Sequence, residues 1–199
     1  MEQSNLGRDF WNQRYISDDT GWDIGYVSTP LKAYFDQLTN KDISILLPGC
    51  GNAHEAAYLL QNGFTNLTLV DISPLLVQNL RENLAPYAGD HLKIICADFF
   101  EISGSYDLII EQTFFCAIDP ALRAKYAVRM HALLKPGGKL AGVFFNRSFE
   151  GGPPFGGNMA EYEEIFSGKF DIQTMQPCYN SISARAGTEL FVIMFRKKH

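Results

Sequence analysis

Three groups of residues have the types and the spacing of a nucleoside-binding site. Gly49 and Gly51 are separated by one residue, and glycines there let the backbone approach a ligand closely. Asp71 follows Gly51 after 20 positions, where an acid in nucleotide-binding α/β sheets accepts hydrogen bonds from ribose hydroxyls. Asp98 and Phe99 suit adenine, since the carboxylate would accept from the amino group and the ring would pack on the base. Together these residues predict a nucleoside site.

The elements that carry these residues are short apolar runs followed by turns. Runs at 43–47, 67–71 and 92–96 are typical of buried parallel strands. A run of helix-forming residues follows the two glycines, and Ser73 with Pro74 has the pattern of a helix start. An ordinary strand-to-helix turn is the alternative for the glycine pair, because the third glycine of a dinucleotide motif is absent. Asp98 alone would also suit the cap of the following turn.

The remaining patterns complete an α/β sheet whose late strands pair antiparallel at an edge. Further helices are predicted at 31–38, 120–134 (capped by Asp119) and 160–166, and further strands at 106–111, 139–145, 170–175 and 189–195. Residues 135–138 are predicted to be a turn before the strand at 139. Ligands of open α/β sheets bind beyond the carboxyl ends of the strands, so residues 111–115 should face the reacting group.

Two segments outside the sheet are candidates for covering a ligand. Residues 6–30 are rich in aromatics, and Trp11 and Tyr15 are four positions apart, so they would share one helix face. These rings and Trp22 either pack the N-terminal arm onto the sheet or form a lid over the ligand. The glycine- and proline-rich loop 146–158 follows a strand on the ligand side, which favours a substrate-covering role.

Composition excludes several classes of function. The 199 residues carry a net charge of −5, with 46% hydrophobic and 20% charged residues, typical of a soluble globular protein. Because no basic run exceeds the three residues 196–198, a nucleic-acid partner is not expected. No stretch reaches the length of a membrane span, and residues 1–5 contain no apolar leader segment. We therefore expect a cytoplasmic protein without a membrane partner.

Neither the cysteines nor the histidines are spaced as metal ligands. The cysteines stand at 50, 96, 116 and 178 and the histidines at 54, 91, 131 and 199, with no C-x-x-C pair. No metal is expected. The length fits one domain, 1–199, with an N-terminal arm (1–40), a cofactor-binding core (41–145) and a substrate loop with C-terminal strands (146–199). Nothing in the pattern requires more than a monomer or a weak dimer.

Taken together, these motifs resemble a class I methyltransferase dependent on S-adenosyl-L-methionine. Within that class the chain is similar to the thiopurine S-methyltransferase superfamily, and most of all to plant-type halide/thiol (thiocyanate) methyltransferases. The resemblance implies a Rossmann-like α/β fold with a seven-stranded, mostly parallel sheet, an antiparallel edge strand and helices on both faces. The matching pieces are Trp11, Tyr15, Trp22-Asp23-x-Gly25, Leu47-Pro48-Gly49-Cys50-Gly51, Asp71-Ile72-Ser73, Asp98-Phe99-Phe100, Phe115-Cys116-Ala117-Ile118-x-Pro120, Leu134-Lys135-Pro136, Gly151-Gly152-Pro153-Pro154, Ser181-Ile182 and Arg185.

The resemblance also implies which residues form the site. The implied contacts of S-adenosyl-L-methionine are Trp11, Tyr15, Trp22, Gly49, Gly51, Asp71, Ile72, Asp98, Phe99 and Gln112. The implied substrate contacts are Phe115, Arg123, Pro153 and Phe155, with Glu111 and Gln112 lining the methyl-transfer site. Gln112 stands where the plant enzymes carry tyrosine. Arg123 matches an arginine that contacts the acceptor in thiopurine enzymes, although a solvated helix residue is the alternative.

The implied reaction needs little from the protein. A sulfonium activates its own methyl group, so a soft anion attacks in line when the reactants are aligned and water is excluded. No essential catalytic residue is expected, and Cys116, a conceivable nucleophile, is more simply read as packing. The expected acceptor is a small thiol, a thiopurine-like compound or an inorganic anion such as a halide, thiocyanate or sulfide. The alternatives are another small acceptor such as a chalcogen oxyanion, and a sensor that binds the cofactor without transfer.

Overall fold

A computed structural model describes residues 6–198 of the protein. Residues 1–5 and His199, which enter the expectations on a leader segment and on metal ligands, lie outside the described residues. Within 6–198 the α-helices are α1 (Arg8–Ile16), α2 (Thr29–Phe35), α3 (His54–Gln61), α4 (Pro74–Asn83), α5 (Arg123–Leu133) and α6 (Met159–Ser167). The strands are β1 (Ile45–Pro48), β2 (Leu67–Asp71), β3 (Leu92–Cys96), β4 (Tyr106–Gln112), β5 (Leu134–Phe145), β6 (Phe170–Pro177) and β7 (Glu189–Arg196). Short 3₁₀ helices cover Ala85–Tyr87, Pro120–Leu122 and Ser183–Arg185.

The strands described here form one seven-stranded sheet in the order β3-β2-β1-β4-β5-β7-β6. Strands β1 to β5 are mutually parallel, and β7 runs antiparallel to both β5 and β6. The predicted Rossmann-like sheet, mostly parallel with an antiparallel pair at one edge, is confirmed. The strand order reverses between β1 and β4, and ligands bind at such a switch point in open α/β sheets.

Alternate residues of the central strands bury opposite faces of the sheet. Ile45 and Leu47 face the apolar core formed with α2, α3 and α4, whereas Leu46 faces the core formed with α5 and α6. A strand covered on both faces is apolar throughout, and all four residues of β1 are buried. The period of two therefore explains why the sheet carries helices on both sides.

Several boundaries differ from the sequence prediction. Strand β5 begins at Leu134 rather than at Lys139. Its pairing with β4 shifts from Tyr106↔Leu134 to Leu108↔Lys139, so the predicted turn at 135–138 is a bulge within the strand. The predicted helix at 120–134 begins with a 3₁₀ turn capped by Asp119, whose Oδ1 accepts from the Ala121 N–H at 2.9 Å. Helix α2 ends at Phe35, three residues earlier than predicted. Among the described helices, none combines the length and apolarity needed to cross a bilayer.

Candidate active site

A deep cleft opens at the carboxyl ends of β1, β2 and β4, where the strand order reverses. Its volume is about 870 Å³, within the range of small-molecule and cofactor sites. The structure brings a group of the predicted site residues together around it: Trp11, Tyr15, Trp22, Gly49, Gly51, Asp71, Ile72, Asp98, Phe99, Gln112 and Pro153. Both predicted covering segments, the arm and the glycine-proline loop, contribute to this lining.

The turn after β1 requires glycine. Gly49 and Gly51 have φ of +53° and +52°, in the left-handed region that side chains disfavour. A Cβ on Gly49 would lie 2.2 Å from the Phe114 ring, whereas one on Gly51 would meet only the Tyr15 hydroxyl at 3.6 Å. The turn therefore brings bare backbone to the cleft immediately before α3, whose first N–H groups have no partner within the helix.

The carboxylate of Asp71 is held at the end of β2. Its oxygens accept from the Ser73 N–H at 3.0 Å and the Gly51 N–H at 3.3 Å. Burial raises the pKa of Asp71 to about 6, because its effect exceeds that of the backbone hydrogen bonds, which lower the pKa. A carboxylate has four acceptor positions, so it retains acceptor capacity toward the cleft.

Asp98 has the capping role considered for it from sequence, and its position also brings it to the cleft. Its Oδ1 accepts from the Phe100 N–H at 2.8 Å and closes the turn after β3, and the residue also lines the cleft. Phe99 packs edge-on against Phe114, with 5.3 Å between the ring centroids. The acid and the ring therefore stand side by side at the third strand end.

Aromatic rings of the arm form one wall of the cleft. The Trp22 ring meets Trp11 and Tyr15 edge-on, at centroid separations of 5.6 and 5.9 Å, a favourable geometry for aromatic pairs. Burial, together with the nearby Asp71 carboxylate, raises the pKa of the Tyr15 phenol far above its ordinary value, so this hydroxyl stays neutral. Trp11 and Tyr15 share one face of α1, as their spacing predicts.

Polar contacts of two arm residues, Asn12 and Asp23, tie the arm to the core. Asn12 Oδ1 accepts from the Ser73 hydroxyl at 2.9 Å, which joins α1 to the start of α4. The Asp23 carboxylate binds His54 Nε2 at 2.7 Å and also accepts from the Asn52 side-chain amide. Asp23, Asn52 and His54, which we call the arm latch, all line the cleft, so the arm is fastened beside the glycine turn.

Arg185, at the end of the 3₁₀ helix Ser183–Arg185, also lines the cleft. Its guanidinium donates to the Trp22 carbonyl oxygen at 2.8 Å and lies 3.6 Å from the Glu189 carboxylate. The same group sits 5.6 Å from the centre of the Phe145 ring. Phe145, Pro153 and Gln112 also line the cleft.

Four predicted site residues do not line the cleft, and Glu111 is the first of them. Its side chain is fully buried and accepts from the Phe114 and Phe115 N–H groups at 2.8 and 3.0 Å and from the Tyr126 hydroxyl at 2.6 Å. Burial raises the pKa of Glu111 to about 7. Here the carboxylate holds the loop after β4, in which Thr113 adopts a left-handed φ of +57°.

The other three, Phe115, Arg123 and Phe155, lie behind the cleft wall. Phe115 stacks on Phe144 in the core at 4.9 Å. The Arg123 side chain is only 4% exposed, pairs with Glu161 and donates to the Gly156 carbonyl at 2.8 Å. Arg123 is thus neither a cleft residue nor a solvated one, and its guanidinium supports the loop that carries Pro153. Phe155 lines a separate, shallower depression on the far side of that loop.

Sequence reasoning assigned no role to Asp23, His54 or Arg185, all of which line the cleft. Asp23 and Arg185 belong to the motifs that carry the family resemblance, so the resemblance could have identified them as cleft residues. Arg185 reaches Trp22 across 163 positions of sequence, so no local pattern reveals the contact. Phe114, one of the residues 111–115 predicted to face the reacting group, lines the cleft beside Gly49.

Comparison with known proteins agrees with the fold and the cleft. The family model described as thiopurine S-methyltransferase matches residues 6–192. A probable thiol methyltransferase 2 of Arabidopsis thaliana is 32% identical, covering 78% of this chain and 70% of the relative. A thiopurine S-methyltransferase of Pseudomonas fluorescens is 26% identical, covering 84% and 85%.

A solved structure shares the fold. The 1,6-didemethyltoxoflavin-N1-methyltransferase of Burkholderia thailandensis, with bound S-adenosylhomocysteine, aligns with a TM-score of 0.75 at 21% identity and covers 96% of this chain and 87% of that one. The family match extends over nearly the whole described chain, and the plant relative matches more than two thirds of it. The chain therefore belongs to the thiopurine S-methyltransferase family of S-adenosyl-L-methionine-dependent methyltransferases.

Proposed function

We propose that this enzyme methylates a small sulfur or inorganic anion acceptor: a thiol, a thiopurine-like compound, or an ion such as sulfide, thiocyanate or a halide. The observation that carries the proposal is the Arg185 guanidinium on the cleft lining, beside the Phe145 ring. A guanidinium beside the acceptor favours its anionic form. The plant and bacterial relatives, named for thiol and thiopurine methylation, are consistent with such acceptors.

The cofactor end of the cleft fits S-adenosyl-L-methionine. Gly49 and Gly51 leave a cradle of bare backbone for its methionine portion, and Asp71 offers acceptor positions for the ribose hydroxyls. Asp98 and Phe99 lie where adenine would sit. Trp11, Tyr15, Trp22, Ile72 and Gln112 complete the proposed cofactor contacts. The bound cofactor supplies a methyl group already activated by the adjoining sulfonium.

The protein's part is then to orient the acceptor, keep it ionised and exclude water. A free thiol has a pKa of about 8.5, so only a small fraction is thiolate at pH 7, and Arg185 would increase that fraction. Glu111 is buried behind the wall with its hydrogen bonds made, which argues against a role as general base. Burial raises the pKa of the Cys116 thiol far above its ordinary value, so Cys116 is a poor nucleophile and acts as packing.

A reducing compartment suits the four free cysteines, and we propose the cytoplasm. One chain contributes both ends of the cleft, so a monomer suffices for the reaction.

Transfer of labelled methyl from S-adenosyl-L-methionine to an acceptor panel tests the proposed function. The panel contains sulfide, an aromatic thiol, a thiopurine, thiocyanate, iodide and tellurite. Arg185→Gln should lower kcat/KM for the preferred anion at least tenfold, because one charge-assisted contact of about 1.5–3 kcal/mol is lost. Arg147→Gln is the matched control, since Arg147 lines the separate depression. If tellurite is the only member of the panel that is methylated, the oxyanion alternative is favoured. If the protein binds the cofactor but methylates no acceptor, a sensor is favoured.

Cofactor affinity is expected to depend on pH through Asp71. The carboxylate accepts hydroxyl hydrogen bonds only when ionised, and its pKa in the free protein is about 6. Affinity is therefore full above pH 7 and falls as pH drops through 6, to roughly one tenth at pH 5. Calorimetric titration with S-adenosylhomocysteine from pH 5 to 8 measures this. Glu111→Gln should keep the profile, because Glu111 does not line the cleft, and a flat wild-type profile would contradict the assignment.

Opening the arm latch should weaken cofactor binding more than turnover. Asp23→Ala removes the contacts to His54 and Asn52, and two or three lost hydrogen bonds of about 0.5–1.5 kcal/mol each predict a KM for the cofactor raised about tenfold. Asp19→Ala is the matched control, since Asp19 lies in the same segment, pairs with Arg14 and does not line the cleft. Steady-state kinetics compares the two variants, and equal effects would contradict the latch.

A further inference from the structure

A buried polar chain connects the arm to the residue at the end of β4. The Ser28 hydroxyl donates to Gln112 Oε1 at 3.0 Å, and the Ser28 N–H donates to Glu55 Oε1 at 3.0 Å. Ser28 and Glu55 are only 4% and 8% exposed, and Gln112 lines the cleft. Three separate segments, the arm, α3 and β4, are thus joined by two hydrogen bonds at the cleft wall, which Glu55 and Gln112 both line.

The Ser28 hydroxyl engages the oxygen end of the Gln112 amide. A glutamine amide carries an acceptor oxygen and a donor NH₂ group. With Oε1 engaged by Ser28, the NH₂ group is the end left for the cleft, and it is not among the buried side-chain atoms of residues 6–198 that lack a partner. A donor there attracts an anion, whereas the oxygen, if reversed, would repel it.

We infer that Ser28, itself anchored by Glu55, is a positioning residue that turns Gln112 into a hydrogen-bond donor for an anionic acceptor. This inference rests on the proposed function, because it concerns the acceptor side of the same cleft. Gln112 would add a neutral donor to the charge of Arg185, so that selection of the anion does not rest on the arginine alone. Buried polar groups are costly unless hydrogen-bonded, which keeps the orientation fixed.

A double-mutant cycle isolates the action of Ser28 through Gln112. Gln112→Leu should lower kcat/KM for the aromatic thiol and for thiocyanate about tenfold, which is the effect of one lost hydrogen bond to an anion. Ser28→Ala should produce a similar loss, and the double variant should be no worse than Gln112→Leu alone. Ser28→Thr, which keeps the hydroxyl, should recover most of the activity. The assays use saturating cofactor, because Gln112 is also a proposed cofactor contact, and thermal unfolding checks that all four variants fold.

Thiocyanate binding to the S-adenosylhomocysteine complex gives a readout that does not need turnover. Its dissociation constant should rise about tenfold in both Gln112→Leu and Ser28→Ala. Additive losses in the double variant, or unchanged or tighter anion binding in Gln112→Leu, overturn the inference while the proposed function stands. If the wild type transfers methyl to no acceptor but the binding pattern holds, the proposed function fails and the role of Ser28 is supported.

Discussion

Replacing Gly49 with alanine is expected to lower cofactor affinity by more than 100-fold. The residue has a φ of +53°, which costs a non-glycine residue about 1–2 kcal/mol. Its new Cβ would lie 2.2 Å from the Phe114 ring, and overpacking of that kind typically costs about 1–3 kcal/mol. Phe114 cannot simply retreat, because Glu111 holds its N–H and the ring packs against Phe99. Either the turn or the ring must leave the cleft.

Gly51→Ala is the matched control for this prediction. Gly51 has nearly the same φ, but a Cβ there meets only the Tyr15 hydroxyl at 3.6 Å, an ordinary contact. Its cost should be limited to backbone strain, so cofactor binding should weaken much less than in Gly49→Ala. Calorimetry with S-adenosylhomocysteine and thermal unfolding of both variants measure the difference. Equal losses in the two variants would show that the Phe114 contact does not matter.

Asp71→Asn should raise the dissociation constant for the cofactor about 100-fold. The carboxylate accepts from the Ser73 and Gly51 N–H groups, and an asparagine would turn an NH₂ group toward one of these donors or toward a ribose hydroxyl. Loss of hydrogen bonds to a charged acceptor, at about 1.5–3 kcal/mol each, accounts for the effect. The apo protein should not become less stable above pH 6, because burial penalises the ionised form of Asp71 there.

The same substitution at Asp107 provides the control at the opposite end of the sheet. Asp107 lies near the start of β4, where its carboxylate accepts from the Ser44 N–H at 2.8 Å and pairs with Lys135. Asp107→Asn should lower the melting temperature but leave the cofactor dissociation constant unchanged. The opposite result, with Asp71→Asn affecting melting but not binding, would remove Asp71 from the cofactor site.

The glycine turn and the acids at the strand ends could be placed at the cleft from sequence because their signals are local. Strand β2 and the start of α4 lie where predicted, since Ser73 and Pro74 specify a helix start and the Ser73 hydroxyl accepts from the Leu76 N–H. Glycines and acids at strand ends face the cleft because parallel strands end at one edge of the sheet. These features need no knowledge of distant contacts.

The positions of the other residues around the cleft depend on contacts between distant segments, such as that between Trp22 and Arg185. Consecutive residues after β4 point in different directions because Thr113 reverses the backbone, so Phe114 lines the cleft while Phe115 enters the core. The spacing of α5 predicts a helix but does not show that Arg123 turns toward Gly156. Strand β5 begins early because of the bulge beside Gly138, and this bulge depends on the partner strand β4. A Cβ on Gly138 would lie 2.9 Å from the Tyr106 carbonyl oxygen.

The attachment of the arm at separate points also bears on the speed of the enzyme. Asn12, Asp23 and the Trp22 carbonyl hold the arm to α4, α3 and the C-terminal segment. In the proposed site a spent cofactor would lie beneath these rings and leave only after such contacts break, so arm opening would set an upper limit on turnover. Acceptors of very different intrinsic reactivity would then reach a similar maximal rate, and the enzyme would distinguish them by how readily they enter the cleft.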